Sequence, residues 1–142
     1  MTIQQMVTKV DELRPNQYTN ERMVGWIYQL ELLIWEALVK THERPAGLRE
    51  ELTPYDEEHM TQELLVPDVW AGVYEWWLYA QMDLANMELE KYNNDMMMYN
   101  AAWRELEAWW NRNNMPVQRV KAIEYGQNAR AAHGYVPDPL EV

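Results

Sequence analysis

The chain has 142 residues, 48% of them hydrophobic and 25% charged, a composition that fits one globular domain built on a single core. Its 23 acids against 12 Lys and Arg give a formal charge of -11 with no dense basic patch, which argues against binding nucleic acid by phosphate neutralisation. There is no cysteine, hence no disulfide, thiolate metal site or Cys nucleophile, and apolar runs such as 32–35 and 37–39 are far too short to cross a bilayer. No signal-peptide pattern opens the sequence, so the expectation is assembly in a cytoplasm, without export and without a membrane.

Thr2-Ile3-Gln4-Gln5 fits a capping box, and Ile3, Met6, Val7, Val10 and Leu13 come at helical spacing, which predicts a first helix over 2–13 that stops at Arg14-Pro15-Asn16. Thr19 is a good N-cap and Glu21 sits well in a first turn. Met23, Ile27, Leu30, Ile34 and Leu38 then mark one face of a second helix running to about His42. Between Leu30 and Val39 only Glu31 and Glu36 are polar, so this helix is expected to be central and covered on more than one side.

Residues 43–67 carry Pro45, Gly47, Pro54 and Pro67, with six acids and no Lys or Arg between Glu50 and Glu63, and read as an acidic connecting loop. Thr53-Pro54-Tyr55-Asp56 offers a start for a short helix within it. From Asp68, the positions Val69, Val73, Trp76, Ala80, Leu84 and Met87 keep a helical period, and a second series runs through Met96, Tyr99, Trp103, Leu106 and Trp110. The two series are out of phase by about 140°, so the stripe slips near Asn93-Asn94, where the helix either kinks, ends, or hands its apolar face to another partner. Asn113-Asn114-Met115-Pro116 stops the last helix, and residues 117–142 show no sustained period. The predicted fold is all-α: a small bundle of about four helices over 1–112 with an acidic connecting loop, and an extended C-terminal arm over 113–142.

Eight Trp and nine Tyr with no Phe is an unusual aromatic choice, because Trp and Tyr carry a polar edge and are enriched where a partner covers a surface. Trp70, Tyr74 and Trp77 form a second stripe beside the Val69, Val73, Trp76 one, and Trp109 lies off the face that holds Trp103 and Trp110. Trp76-Trp77 and Trp109-Trp110 point about 100° apart within each pair, so one flat neighbour cannot bury both members. Either the helix is wedged between two others in one copy, or a second chain covers the surplus, and the abundance of Trp favours the second. The candidate interface residues are Trp70, Tyr74, Trp77 and Trp109, with Tyr135 and Val136 in the arm. The Met96-Met97-Met98 run spans three helix faces and suits adaptable packing.

Chemistry has little purchase on this sequence. A di-metal bundle site needs two Glu-x-x-His turns and two further acids, whereas Asp56-Glu57-Glu58-His59 is a single approximation, and His42 and His133 stand alone. Serine is absent along with cysteine, and no phosphate loop, Gly-x-Ser-x-Gly or His-Glu-x-x-His occurs. Glu50-Glu51 and Glu57-Glu58 fall in loop-like sequence and read as solvated charge. No catalytic residue, cofactor or metal is therefore expected.

Two stretches resemble a known family. Val10-Asp11-Glu12-Leu13-Arg14-Pro15-Asn16-Gln17-Tyr18-Thr19, leading to Trp26-Ile27 and Leu30-Glu31, is similar to the amino-terminal part of head-tail connector (adaptor) proteins of long-tailed bacteriophages. So are Glu63-Leu64-Leu65-Val66-Pro67-Asp68, Tyr74, Gln81-Met82-Asp83, the run Glu88 to Asn94, and Tyr99-Asn100-Ala101-Ala102-Trp103. Together they span most of 10–112. The resemblance implies a virion protein of the head-tail neck, a homo-oligomer in a dodecameric ring that joins the portal protein to other neck and tail-completion proteins. Double-stranded DNA would pass through the ring without sequence-specific binding, and an acidic lumen suits a moving polyanion. A ring needs two different faces per subunit, which the two stripes of the third helix would supply. The competing readings are a stand-alone helical binding or regulatory module that captures one partner, and a bundle enzyme with a carboxylate metal site.

Overall fold

The computed structural model describes residues 1–117. Helix α1 spans Ile3–Leu13, α2 Asn20–Ile34, α3 Gly72–Ala85 and α4 Leu89–Asn113, and there is no strand among the described residues. The all-α bundle expected from periodicity is the fold.

Local chemistry starts and stops these helices where the residue types demand. Thr2 and Gln5 close a reciprocal capping box on α1, and the Thr19 hydroxyl accepts the Arg22 amide at the head of α2. The first amides of α1 have no partner within the helix, and the loop supplies two: Ile3 and Gln4 donate to the carbonyls of Gln62 and Met60 at 2.9 and 2.8 Å. After Ile34 the chain continues as a π-helical turn, Trp35–Val39, closed by the Lys40 amide on the Trp35 carbonyl, and the wider turn keeps Trp35, Leu38 and Val39 inside.

Helix α2 is central as expected. Met23, Ile27, Leu30, Ile34 and Leu38 are buried along with Val24, Trp26 and Glu31, although Leu32 and Leu33 stay exposed on its outer side. The segment 43–67 is less of a solvent loop than its acids suggest. Tyr55, Leu64, Leu65 and Val66 are core residues, and the short helix expected after Pro54 is a 3₁₀ turn, Glu57–His59, capped by Asp56.

The third and fourth helices form an antiparallel hairpin, which resolves the phase slip as a chain reversal. The break falls at Asn86-Met87-Glu88, upstream of Asn93-Asn94, which lie inside α4. It is a Schellman ending: Glu88 donates to the Asp83 carbonyl at 2.9 Å and Met87 to that of Leu84 at 3.1 Å, with Met87 at φ 61°. Glycine usually holds that position, so a methionine there left no sequence signal.

The phase assigned to α3 also needs correction. Val69, Leu84 and Met87 were expected inside and are exposed, while Tyr74, Leu78 and Met82 are buried. Val69 belongs to a separate 3₁₀ turn, Asp68–Trp70, and Leu84 and Met87 sit at or beyond the end of the helix, so the extrapolated period ran across two breaks. Past α4, the chain returns to the bundle. Glu43 donates to the Met115 carbonyl and Val117 to that of Thr41, both at 2.8 Å, so the first residues assigned to the arm lie against the end of α2.

Candidate functional site

The aromatic residues singled out as an interface are mostly held by the chain itself. Tyr74 is a correction outright: it is fully buried, and its hydroxyl donates to Glu31 Oε2 at 2.7 Å. Trp77 is half-buried between α2 and α4, donating its indole N–H to the Trp26 carbonyl at 2.8 Å while its ring lies 5.3 Å from Tyr99. Trp70 and Trp109, also half-buried, meet each other at 6.1 Å, and Trp109 lies edge-on to Trp110 at 6.0 Å. The premise that one copy leaves Trp70, Trp77 and Trp109 uncovered is thus corrected in favour of the wedged helix: α3 packs on α1, α2 and α4 together. Tyr135 and Val136 lie outside the described residues.

Two buried polar centres lock this arrangement, and periodicity identified neither. The first is Glu31 on α2, fully buried, with its carboxylate accepting from Tyr74, from the Tyr55 hydroxyl at 3.2 Å and from the Leu65 amide at 3.3 Å. Arg49 in turn donates to Tyr55 at 2.5 Å and to the Glu63 carbonyl. One carboxylate therefore ties the acidic loop and α3 to the central helix. Burial raises its pKa to about 7, against the pull of the Tyr74, Leu65 and Tyr55 hydrogen bonds and the Arg49 charge. The signal was present as the lone acid among apolar neighbours, but nothing local distinguishes it from the exposed Glu36.

The second centre joins the two halves of the chain. Arg14, in the turn after α1, reaches Asp83 of α3 at 2.8 Å and Asp95 of α4 at 3.6 Å, and its guanidinium lies 4.2 Å from the Tyr79 ring centroid. Both carboxylates are buried. Desolvation and the neighbouring Asp83 raise Asp95 to about 6. Beside this centre, the Tyr18 hydroxyl donates to Asn86 at 2.5 Å. Arg14 and Tyr18 on one side and Asp83 on the other come from separate stretches that carry the family resemblance, and here they are one joint.

No protein-family model, curated protein or solved structure matches this chain.

An open groove of about 420 Å³ runs along the outer side of α2, lined by Thr19, Glu21, Arg22, Gly25, Trp26 and Gln29. It carries no convergent set of reactive groups. Among the described residues no three carboxylate or imidazole side chains gather as a metal set, and Asp56 with His59 form a cap, Nδ1 to Oδ1 at 2.8 Å. His42 is buried between the Leu38 carbonyl at 2.8 Å and Asn111 at 2.5 Å, where it fastens the end of α2 to the end of α4. The polar groups that are placed with care hold helices together, and the exposed large apolar side chains among the described residues include Leu32 and Leu33 on α2, Met97 and Met98 on α4, and those at the end of the α3/α4 hairpin.

Proposed function

We propose that this chain is a structural assembly protein, a subunit of the head-tail connector ring of a long-tailed bacteriophage that docks on the portal vertex. The observation that carries the assembly reading is exposed apolar surface on two elements, Leu32 and Leu33 of α2 and Met97 and Met98 of α4, whose other faces are committed to the core. A ring requires two unlike faces on each subunit, and an exposed pair on each of two helices meets that requirement. Methionine suits such a surface because its unbranched side chain adapts to the neighbour it meets. The phage assignment rests on the resembling stretches, which the fold joins through Arg14, Asp83 and Tyr18. An open channel bounded by chains of charge -11 would let DNA slide without holding it.

Light scattering on the purified chain, alone and mixed with portal protein, tests this. A ring-sized mass, or a monomer that binds portal, is the expected result. A chain that stays monomeric at high concentration and ignores portal overturns the proposal, and stoichiometric recovery of a non-virion partner would favour the stand-alone binding module.

A further inference from the structure

Among the described residues, the end of the molecule that holds the α3/α4 turn gathers several exposed apolar side chains. Met87 is 79% exposed, Leu89 55% and Leu84 41%, all within six residues. Leu13, 62% exposed, stands at the same end, because its neighbour Arg14 reaches Asp83. A folded monomer gains nothing by presenting these side chains to water, and Met87 does so from the left-handed conformation. The surroundings are acidic: Glu12, Glu88 and Glu90 are exposed, and the one lysine nearby, Lys91, is held by Glu88 at 2.7 Å.

A ligand for this patch needs aliphatic side chains interleaved with positive charge, and residues 119–123 have that chemistry. Residues 1–117 hold 20 acids and 9 Lys and Arg, whereas Arg119-Val120-Lys121-Ala122-Ile123 is basic and aliphatic with no acid. Chain geometry decides whose segment it is. Val117 is tied to Thr41 beside the C-terminal end of α4, and α4, at 25 residues, puts that end about 36 Å from the hairpin turn. From Val117 to Ile123 the chain reaches at most about 20 Å, even fully extended. The same copy cannot cover its own patch with these residues.

We infer that the acid-rimmed apolar end formed by Leu13, Leu84, Met87 and Leu89 receives residues 119–123 of a second copy. This rests on the assembly reading and deepens it, because a contact from the tail end of one copy to the hairpin end of the next uses two unlike surfaces and propagates around a ring. Valine and isoleucine cover the apolar centre, and Arg119 and Lys121 meet Glu12, Glu88 and Glu90 at its rim.

The absence of native cysteine makes the test clean. Full-length Met87→Cys and full-length Ile123→Cys are mixed and oxidised, with Thr8→Cys on the exposed side of α1 replacing Met87→Cys as the control. The expected result is a disulfide-linked heterodimer from the first mixture, at least about tenfold over the control and falling as salt is raised. Arg119→Glu with Lys121→Glu in the Ile123→Cys chain should suppress it, and Glu88→Lys with Glu90→Lys in the Met87→Cys chain should restore it. Cross-linking at control level while light scattering still shows assembly overturns the inference and leaves the assembly reading standing. A chain carrying both cysteines that closes on itself in dilute solution also overturns it. A chain that neither assembles nor binds portal removes both.

Discussion

Replacing Glu31 by glutamine isolates the cost of ionising a carboxylate in the centre of this fold. In the folded chain the group titrates near 7, against about 4.5 when solvated, so the native state favours its protonated form. For an acid raised in this way, the stabilising contribution is fully present below pH 4.5 and is lost as pH rises through 7. The difference of about two and a half pH units corresponds to on the order of 3 kcal/mol, a large share of the roughly 5–15 kcal/mol typical of such a domain. Glutamine has the shape of the neutral acid and cannot ionise. At pH 5, Glu31→Gln and the parent chain should therefore differ by no more than about 1 kcal/mol, set by how the amide suits the Tyr55, Tyr74 and Leu65 donors. At pH 8 the variant should be the more stable, by on the order of 3 kcal/mol. Urea unfolding monitored by tryptophan fluorescence from pH 5 to 8 measures both curves, and all other titrating groups are common to the pair. Parallel curves, or a parent chain that gains on the variant as pH rises, would refute the claim that burial dominates over the hydrogen bonds and the Arg49 charge.

Particular contacts set three further outcomes. Met87→Gly should raise monomer stability by about 1 kcal/mol in thermal or urea melts, because glycine relieves the left-handed conformation at an exposed position, and an unchanged or lower midpoint would count against the Schellman ending. Arg14→Ala should cost about 2–3 kcal/mol by urea unfolding at pH 8, the partial exposure of the guanidinium tempering the loss of a cation from two buried carboxylates. Because Asp95 titrates near 6, that cost should shrink at pH 5, and adding Asp95→Asn should recover much of it. Trp77→Phe should lower the stability of the isolated chain by about 1 kcal/mol, measured by calorimetry at a concentration where it is monomeric, through the lost hydrogen bond to Trp26. A residue that served only an interface between copies would leave monomer stability unchanged.

The helices that carry their own punctuation were legible residue by residue. Thr2 with Gln5, Thr19, Pro15 and Pro116 each act within a few residues of the chain, so their effect on α1, α2 and the end of α4 could be read without knowing what lies opposite. The even apolar spacing of Met23 to Leu38 identified the buried face of α2 for the same reason. Where the local signal was missing or misleading, the expected elements shifted. Methionine at position 87 concealed the turn that separates α3 from α4, and the 3₁₀ turn around Val69 displaced the apparent phase of α3.

For the candidate site the balance is different, because burial of a tryptophan or a carboxylate depends on residues far away in sequence. Trp70 finds Trp109, Trp77 finds Trp26 and Tyr99, and Glu31 finds Tyr55 and Tyr74, at separations that no periodic pattern encodes. An excess of indoles was visible from composition, but whether their own chain shelters them is a matter of how four helices pack. By itself the sequence determined an acidic, all-α chain with the starts of α1 and α2 and its central helix, since propensity, capping and periodicity are local. Only the tertiary structure decided which aromatics are core, that Glu31 and Arg14 pin the loop and the hairpin, and which apolar side chains stay exposed on α2, on α4 and at the hairpin end, since each depends on which distant side chains exclude water.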